Sequence, residues 1–389
     1  MDAPPHAAEP AIKESASAQA RTGRSTCRTY HVALFSFALP NAVRELPSLT
    51  EDLPGTGGIL KARPEDFEVE EIPAYAPTGE GDHVLAWVEK RDRNTMDAVR
   101  ALAGALGVSE RDVGAAGLKD RRAVTRQWLS FPPPVTPDAL AAAQVPGVRV
   151  LSAARHPHKL RTGHLRGNRF RITVRDLELP ADQAAARAAA VLARLAEPPG
   201  APNWYGEQRF GAAGDNAAAG RAIVTGQRGG GRRGGRERRF LVSAYQAELF
   251  NRYLDRRIRD GLYRRVLPGD ILRVASGGLF ASTEPEVDQA RLEGGDVCPT
   301  GPMFGHDMRR PPDGSEAAAR EEEILREEGL APGDFRRAGK LAAGARRPLA
   351  VPLEGAAARP AGPDAIEIEF TLPAGAYATV VLREVMKRG

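Results

Sequence analysis

Cysteine is scarce in this 389-residue sequence, and the motifs that mark several common classes of protein are missing. The two cysteines, Cys27 and Cys298, lie far apart and in no metal-ligand spacing. They predict neither a disulfide framework nor a zinc site, and they fit a reducing cytoplasm. No apolar run reaches the roughly 18 to 20 residues that a membrane-spanning helix needs. The missing apolar run argues against a membrane partner, and glycine-rich phosphate loops and dinucleotide fingerprints are also missing.

The composition is that of a globular protein with a modest excess of positive charge. Hydrophobic residues make up 42% of the chain and charged residues 27%, and the net charge is +5 with a pI near 9.3. This balance is compatible with a polyanionic partner but does not establish one. The length exceeds what one compact core usually serves, so we expect two domains.

Residues 1–45 are predicted to lie outside the fold. The first twenty residues are rich in Ala, Pro, Glu and Ser without periodicity, which is typical of disorder. Three arginines then precede the short apolar run 32–39, as in a weak signal peptide, but no convincing small-residue cleavage site follows. We therefore expect a disordered or mis-assigned upstream extension.

Residues 46–199 have the pattern of an α+β layer. Short strands and helices alternate, and residues 58–72 are expected to form two short strands, the second with Phe67, Val69 and Glu71 on one face. Such short strands joined by turns and helices predict a mixed or antiparallel sheet.

Asp120 lies between two predicted strands, in a stretch that combines a glycine with several cations. A carboxylate at a strand end can meet a substrate, and the adjacent Lys119 would help to keep it ionised, as a nucleophile requires. On local sequence alone the simpler interpretation is favoured, a turn aspartate that binds backbone amides beside solvated cations.

Three further stretches are candidates for contact with nucleic acid. Residues 155–166 carry several cations and three histidines, and they form either a solvated loop or a phosphate-contacting edge. The histidines have no acidic partners at metal-site spacing. Residues 203–211, which include Arg209, form either a packed turn, favoured in isolation, or a platform for unpaired bases. The Gly/Arg run 226–239 predicts a mobile basic loop that adds salt-dependent affinity.

The rest of the chain predicts a second module and a return to the first. Residues 200–350 contain helices and strands of their own, and Thr95 and Ser243 are predicted to cap two amphipathic helices. Residues 366–372 alternate as a strand, and Tyr377 follows at a turn into a closing helix. An aromatic there is either core, which local sequence favours, or a platform.

Together these segments resemble the TruD family of tRNA pseudouridine synthases. The resemblance runs in order from about residue 47 to the C terminus. It is carried by the pieces Gly58 to Phe67, Ala116 to Trp128, Lys159-Leu160 through Gly167 to Phe170, Asn203 to Gly211, and Leu372 to Thr379 with Leu382-Arg383-Glu384.

The resemblance implies an α+β fold with a pseudouridine-synthase-type catalytic domain, whose mixed, largely antiparallel sheet is flanked by helices. Residues 46–199 and 351–389 would form this domain, and an inserted α+β TruD-specific domain would span residues 200–350. The implied reaction converts uridine 13 of tRNA to pseudouridine without metal, nucleotide or redox cofactor. We expect tRNA as the partner and a cytoplasmic monomer.

The resemblance also implies roles for individual residues. Asp120 matches the nucleophile. Tyr377 matches an aromatic that packs on the target base, where many members have Phe. Phe67 and Asn168 match substrate contacts by packing and hydrogen bonding, and Lys61 matches a cation partner of Asp120. The expected RNA contacts are Lys119, Arg161, Arg166 and Arg209.

Two other classes of function remain open at this point. A protein that binds or folds RNA on the same scaffold would not need a lone carboxylate facing a polyanion, so Asp120 favours the enzyme. An unrelated hydrolase is weaker still, because no nucleophile–base–orienter set is evident. The enzyme hypothesis requires Tyr377 to fold back onto Asp120 from more than two hundred residues away.

Overall fold

The computed structural model describes residues 46–211, 214–227 and 234–387. The predictions for residues 1–45 lie outside this part of the chain, as does the centre of the Gly/Arg run, residues 228–233.

Strands make up the greater number of its elements. In chain order they are β1 (Phe67–Pro73), β2 (His83–Arg91), β3 (Gly114–Ala115), β4 (Val124–Phe131), β5 (Val148–His156), β6 (Leu165–Val174), β7 (Ala201–Pro202), β8 (Ile271–Val274), β9 (Leu279–Ala281), β10 (Val297–Met303), β11 (Ala345–Pro348), β12 (Ala350–Val351), β13 (Glu354–Gly362) and β14 (Ala365–Pro373).

Helices alternate with these strands along the chain. The α-helices are α1 (Thr95–Ala105), α2 (Pro137–Ala142), α3 (Ala181–Ala196), α4 (Asn216–Thr225), α5 (Gly235–Arg259), α6 (Pro285–Glu293), α7 (Glu316–Glu327) and α8 (Ala378–Met386). Short 3-10 segments cover Pro64–Asp66, Glu207–Arg209 and Pro332–Ala342. Within the described ranges, none of the helices is both long and apolar enough to cross a membrane.

Eight strands form the main sheet, in the order β13-β14-β6-β1-β4-β2-β5 with β3 beside β4. β1 and β4 run parallel, and the other neighbouring pairs are antiparallel. Helices α1, α3 and α8 pack against this sheet. The predicted fold class, α+β with a mixed, largely antiparallel sheet flanked by helices, is therefore confirmed.

One face of the main sheet is apolar because inward positions of neighbouring strands are aligned. Phe67 stands opposite Ile172, and Ile172 stands opposite Ile368. Helices α3 and α8 cover these strands, with Val191 and Val385 in the same buried cluster. Helix α1 covers β2 and β4 through a second cluster. In the sheet order, β1 and β4 are neighbours, so the two groups of helices meet at this pair of strands.

Residues 200–350, called the middle segment below, build a second core. Its sheet has the order β11-β10-β8-β9, and the long helix α5 buries Phe250 and Tyr253 in a cluster that includes Trp204. Strands β7 and β12 pair antiparallel at the two ends of this segment. The chain therefore enters and leaves the middle segment at neighbouring points.

Three local predictions are wrong. Ser243 does not cap a helix, because α5 already begins at Gly235. The N-cap of α1 is Asn94, and the Thr95 hydroxyl instead binds Gln127. Residues 58–63 form no strand, because Lys61 has a positive φ of 55° and Ile59 makes only an isolated bridge to Arg175.

Candidate active site

The loop between β3 and β4 carries Asp120 and is fixed from three elements. Thr95 at the start of α1 accepts a hydrogen bond from the Lys119 backbone N–H at 2.9 Å, and it donates to the Gln127 side chain. Gln127 on β4 donates to the Gly117 carbonyl at 3.2 Å. Lys90 on β2 donates to the Asp120 carbonyl at 2.6 Å. Because these side chains are buried, the backbone at Asp120 has little freedom to move.

Lys61, Phe67 and Asp120 come together, as the resemblance implied. The Lys61 ammonium lies 3.1 Å from an Asp120 carboxylate oxygen and 4.0 Å from the centroid of the Phe67 ring. The Asp120 side chain is 35% exposed, so a substrate can reach it. Lys61 reaches this position through a left-handed backbone conformation, which costs a non-glycine residue about 1–2 kcal/mol. Strain of this kind is concentrated at functional sites.

Lys119 pairs with a carboxylate other than that of Asp120. Its ammonium binds the Glu71 carboxylate at 2.7 Å, with the two side chains 5% and 0% exposed. Glu71 faces inward beside Phe67 on β1, and a buried carboxylate needs a partner, so Lys119 turns under the loop. Lys119 thus pairs with Glu71 and holds the loop, and its expected contacts with Asp120 and RNA stay predictions.

Lys90 and Glu71 are site residues that the sequence analysis missed. Lys90 is 1% exposed, and burial lowers its pKa from 10.5 to about 8, although the Asp120 charge acts in the opposite direction. Lys119 adds to the lowering. A signal was available for both residues, since each places a charge at an inward strand position where apolar residues precede it.

Asn168 lies on β6 between Glu71 on β1 and Leu372 on β14. Its Oδ1 atom is buried and has no hydrogen-bond partner among the described residues. An unsatisfied buried acceptor is costly, and an N–H group of a ligand would relieve that cost. This geometry suits the expected role in substrate binding.

Tyr377 stands at the N-cap position of α8, and β14 brings it back to the main sheet. Leu372 stands opposite Asn168, and the Ala374 N–H donates to the Arg166 carbonyl at 3.0 Å. The Tyr377 ring centroid lies 6.3 Å from that of Tyr205, and burial raises the pKa of Tyr377. Strand pairing thus returns Tyr377 to the strand that carries Asn168; its contact with Asp120 stays a prediction.

The remaining predicted RNA contacts lie on two sides of this region. Arg161 and Arg166 are exposed, the first in the loop before β6 and the second on β6. A 2.8 Å hydrogen bond from the Gly163 N–H to the Ala116 carbonyl ties this loop to the segment before Asp120. Arg209 is half-buried, with its guanidinium 5.6 Å from the Tyr205 ring centroid. Trp204 is core, which fits the packed-turn alternative, and Tyr205 is half-buried; the base-platform alternative stays a prediction.

The family model for tRNA pseudouridine synthase D (TruD) matches residues 45–230 and 236–385 of this chain. The chain belongs to the TruD family. Its similarity to a tRNA pseudouridine synthase D of Anaeromyxobacter dehalogenans strain 2CP-C is 51% identity over 350 residues, covering 88% of this chain and 97% of that protein. For a Thermus thermophilus protein of the same name, identity is 45% over 344 residues, covering 88% and 92%.

A solved structure supports the same conclusion. A crystal structure from Methanosarcina mazei, assigned to tRNA pseudouridine synthase D, superposes with a TM-score of 0.73 at 25% identity. It covers 89% of this chain and 99% of that one. The predicted TruD family is therefore confirmed, and its reaction class is the isomerisation of uridine to pseudouridine in tRNA.

The chemistry of a TruD site can be matched to the groups present here. An exposed carboxylate beside an ammonium can act as a nucleophile, and an aromatic side chain and an unsatisfied amide oxygen can hold a base. Within residues 46–211, 214–227 and 234–387, no three His, Cys, Asp or Glu side chains converge as a metal site would require.

Proposed function

We propose that this TruD protein converts uridine 13 of tRNA to pseudouridine and that Asp120 is the nucleophile. The observation that carries the proposal is the exposed Asp120 carboxylate, held by Lys61 at 3.1 Å on a loop whose backbone Lys90 fixes. Position 13 comes from the family resemblance. The family assignment supports the class of reaction, and the site geometry supports the choice of residue.

The proposed reaction is an isomerisation in which no atom is gained or lost overall. Asp120 attacks the sugar or the uracil ring, and the bond between C1′ and N1 breaks. The base then rejoins C1′ through C5. C5 loses its proton and N1 gains one, so uridine and pseudouridine have the same composition. The covalent intermediate keeps the two halves of the nucleotide in one site.

Three further side chains are proposed to hold the target base. The uridine leaves its stack to reach Asp120. Asn168 accepts a hydrogen bond from a uracil N–H, which satisfies its buried Oδ1. Phe67 packs beside the reacting nucleotide and Tyr377 stacks on the base. Arg161, Arg166 and Arg209 contribute phosphate contacts, which position an RNA without reading its sequence.

We also propose the division of the chain that the family implies. Residues 46–199 and 351–389 form the catalytic domain, and residues 200–350 form an inserted domain. The pairing of β7 with β12 supports this division, because both ends of the insertion lie side by side. A cytoplasmic monomer remains part of the proposal.

Asp120→Asn tests the nucleophile. The change keeps the shape of the side chain but removes the attacking charge, so we expect pseudouridine 13 to be abolished and tRNA binding to stay within about threefold. The measurement is pseudouridine mapping in tRNA from a deletion strain that carries each variant. Asp112→Asn, an exposed aspartate that precedes β3, is the matched control and should restore modification fully.

Full modification by Asp120→Asn would refute the proposed nucleophile. A wild-type protein that binds tRNA tightly but forms no pseudouridine in vitro would instead favour the RNA-binding alternative.

A further inference from the structure

A cleft of about 500 Å³ lies in the middle segment, apart from the residues assigned to catalysis. Its lining includes Tyr205, Met303 and several cationic side chains. The volume falls within the roughly 300–1,000 Å³ that is usual for small-ligand sites. We propose that this cleft binds a second, unstacked nucleotide of the tRNA substrate. This inference rests on the proposed function.

The charge of the cleft suits a phosphate. Its lining contains five cationic side chains and no Asp or Glu. Arg346 is buried and neutralised by Glu321 at 2.6 Å, so it is structural. Arg239, Arg273 and Lys340 are exposed, and no carboxylate among the described residues pairs with them. Three free positive charges around one concave surface are therefore available to a polyanion.

Arg347 is a half-buried cation that the proposed mechanism does not use. Its guanidinium donates to the Asn203 backbone carbonyl at 3.2 Å, to the Asn203 side chain and to the Gly375 carbonyl at 3.3 Å. These acceptors are neutral, and burial lowers the pKa of Arg347. A charge that is partly withdrawn from water is stabilised by a counterion, and a phosphate in the cleft would supply one.

Tyr205 and the Arg347 guanidinium over its ring are the planar groups of the cleft. The ring is half-buried, and the Arg347 guanidinium lies 4.0 Å from its centroid. Aromatic and guanidinium planes are the groups on which unpaired bases stack without regard to sequence. A ring beside several cations therefore matches both halves of a nucleotide.

The cleft is connected to the aromatic assigned to the target uridine. The ring centroids of Tyr205 and Tyr377 lie 6.3 Å apart. Arg347 donates a hydrogen bond to the carbonyl of Gly375, in the turn before Tyr377. A nucleotide bound in the cleft would thus rest against the groups that position Tyr377. It would belong to the same RNA as the uridine at Asp120, and it would lie outside the catalytic pocket.

The test compares two double variants that remove equal charge. Arg273→Ala with Lys340→Ala removes two free cations of the cleft, and Arg265→Ala with Arg326→Ala removes two exposed cations elsewhere. With full-length tRNA, we expect the cleft variant to raise KM about tenfold and to leave kcat within about threefold. The slope of log affinity against log salt should become shallower by roughly 1.4, because each neutralised phosphate contributes about 0.7. The control should change KM by less than threefold.

Crosslinking gives an independent readout of position. Asp120→Asn protein would be irradiated with tRNA transcripts that contain 4-thiouridine, and the crosslinked peptides identified by mass spectrometry. We expect crosslinks on peptides containing Tyr205 or Met303, and we expect the cleft substitutions to remove them.

The second site would be refuted by equal KM values for the two double variants, or by crosslinks confined to peptides around Asp120. The proposed function would still stand in that case, provided that the wild-type protein modifies tRNA. If the wild-type protein forms no pseudouridine in any tRNA, the proposed function fails and the second site fails with it.

Discussion

Lys90 occupies an inward position of β2, after the buried Val84, Ala86 and Val88, and its ammonium reaches the carbonyl of Asp120. The charges around it act in opposite directions, because Asp120 raises its pKa and Lys119 lowers it. Burial is the larger effect. The residue thus stabilises the position of the proposed nucleophile at some cost to its own ionisation.

We predict that Lys90→Met changes how stability depends on pH. The pKa of Lys90 is about 8 in the folded protein and 10.5 ordinarily, so between these values the unfolded chain binds more protons. The stability that comes from a lysine with a lowered pKa is fully present above pH 10.5 and is lost as the pH falls to about 8. The unfolding free energy of wild type relative to Lys90→Met, from urea titrations, should therefore rise with pH across this window.

Lys340→Met is the control for this measurement, because Lys340 is exposed. Its stability curve should run parallel to that of wild type. A parallel curve for Lys90→Met as well would contradict the prediction.

Sequence patterns predicted which residues lie at this site better than they predicted which side chains pair with each other. The inward alternation of Phe67, Val69 and Glu71 was predicted, and all three are buried. Proximity in sequence nevertheless suggested that Lys119 serves Asp120, whereas Lys119 pairs with Glu71 and Lys61 pairs with Asp120. Which of several cations reaches a carboxylate depends on backbone direction, and residue spacing does not fix that direction.

At the scale of elements, the helix that begins after Tyr377 is held by a buried carboxylate. Glu384 on α8 accepts hydrogen bonds from the Leu49 N–H at 2.8 Å, from the Thr50 N–H at 3.1 Å and from the hydroxyls of Ser48 and Thr50. Although burial opposes ionisation, these donors and Lys387 lower the pKa of Glu384. Residues 48–50 therefore fix the position of α8 through Glu384.

We predict that Glu384→Gln destabilises the protein by about 2–4 kcal/mol at neutral pH, because several donors lose a charged acceptor. A carboxylate with a lowered pKa contributes stability above its ordinary value of 4.5, and this is lost as pH falls through the folded pKa. The difference between wild type and variant, measured by urea unfolding, should therefore shrink in acid.

Glu354→Gln, at an exposed position on β13, should stay within about 0.5 kcal/mol of wild type. The role of Glu384 would be contradicted if the unfolding free energy of Glu384→Gln differed little from wild type at neutral pH, or if the difference stayed constant into acid.

Helix ends show what local patterns can and cannot predict. Asp215 and Gly226 are the N-cap and C-cap of α4, and a glycine is a typical signal for a helix end because it adopts a positive φ, here 71°, at low cost. The N-cap of α5 was predicted nine residues late, at Ser243 instead of Gly234. In α5 the hydrophobic periodicity begins only near Leu241, and the charged residues of its first turn give no such signal.

At the scale of the whole molecule, the main sheet joins strands that are far apart in sequence. β14 pairs with β6, although the middle segment separates them. Alternating apolar residues predicted each strand, but period-two patterns do not specify partners. Only the family resemblance placed residues 351–389 in the same domain as Asp120.

We predict that Gly200→Ala weakens the junction between the middle segment and the rest of the chain. A Cβ atom at Gly200 would lie 2.1 Å from the Val351 carbonyl oxygen, beside the pairing of β7 with β12. Gly261→Ala is the control, because Gly261 also has a positive φ but nothing lies within 4 Å of the added atom.

Urea unfolding should show Gly200→Ala to be roughly 1–3 kcal/mol less stable than Gly261→Ala, because of the clash and because φ is 113° at Gly200 but 70° at Gly261. Equal losses would mean that the junction tolerates the added methyl group.

The antiparallel pairing of β7 with β12 has a consequence for topology. Ala201 stands opposite Val351 and Pro202 opposite Ala350, so the two short strands are the arms of a β-hairpin. The tightest connection between such arms is a two-residue turn such as Asn-Gly. In this chain the whole second core occupies the place of that turn, so the middle segment is, in topological terms, a hairpin loop.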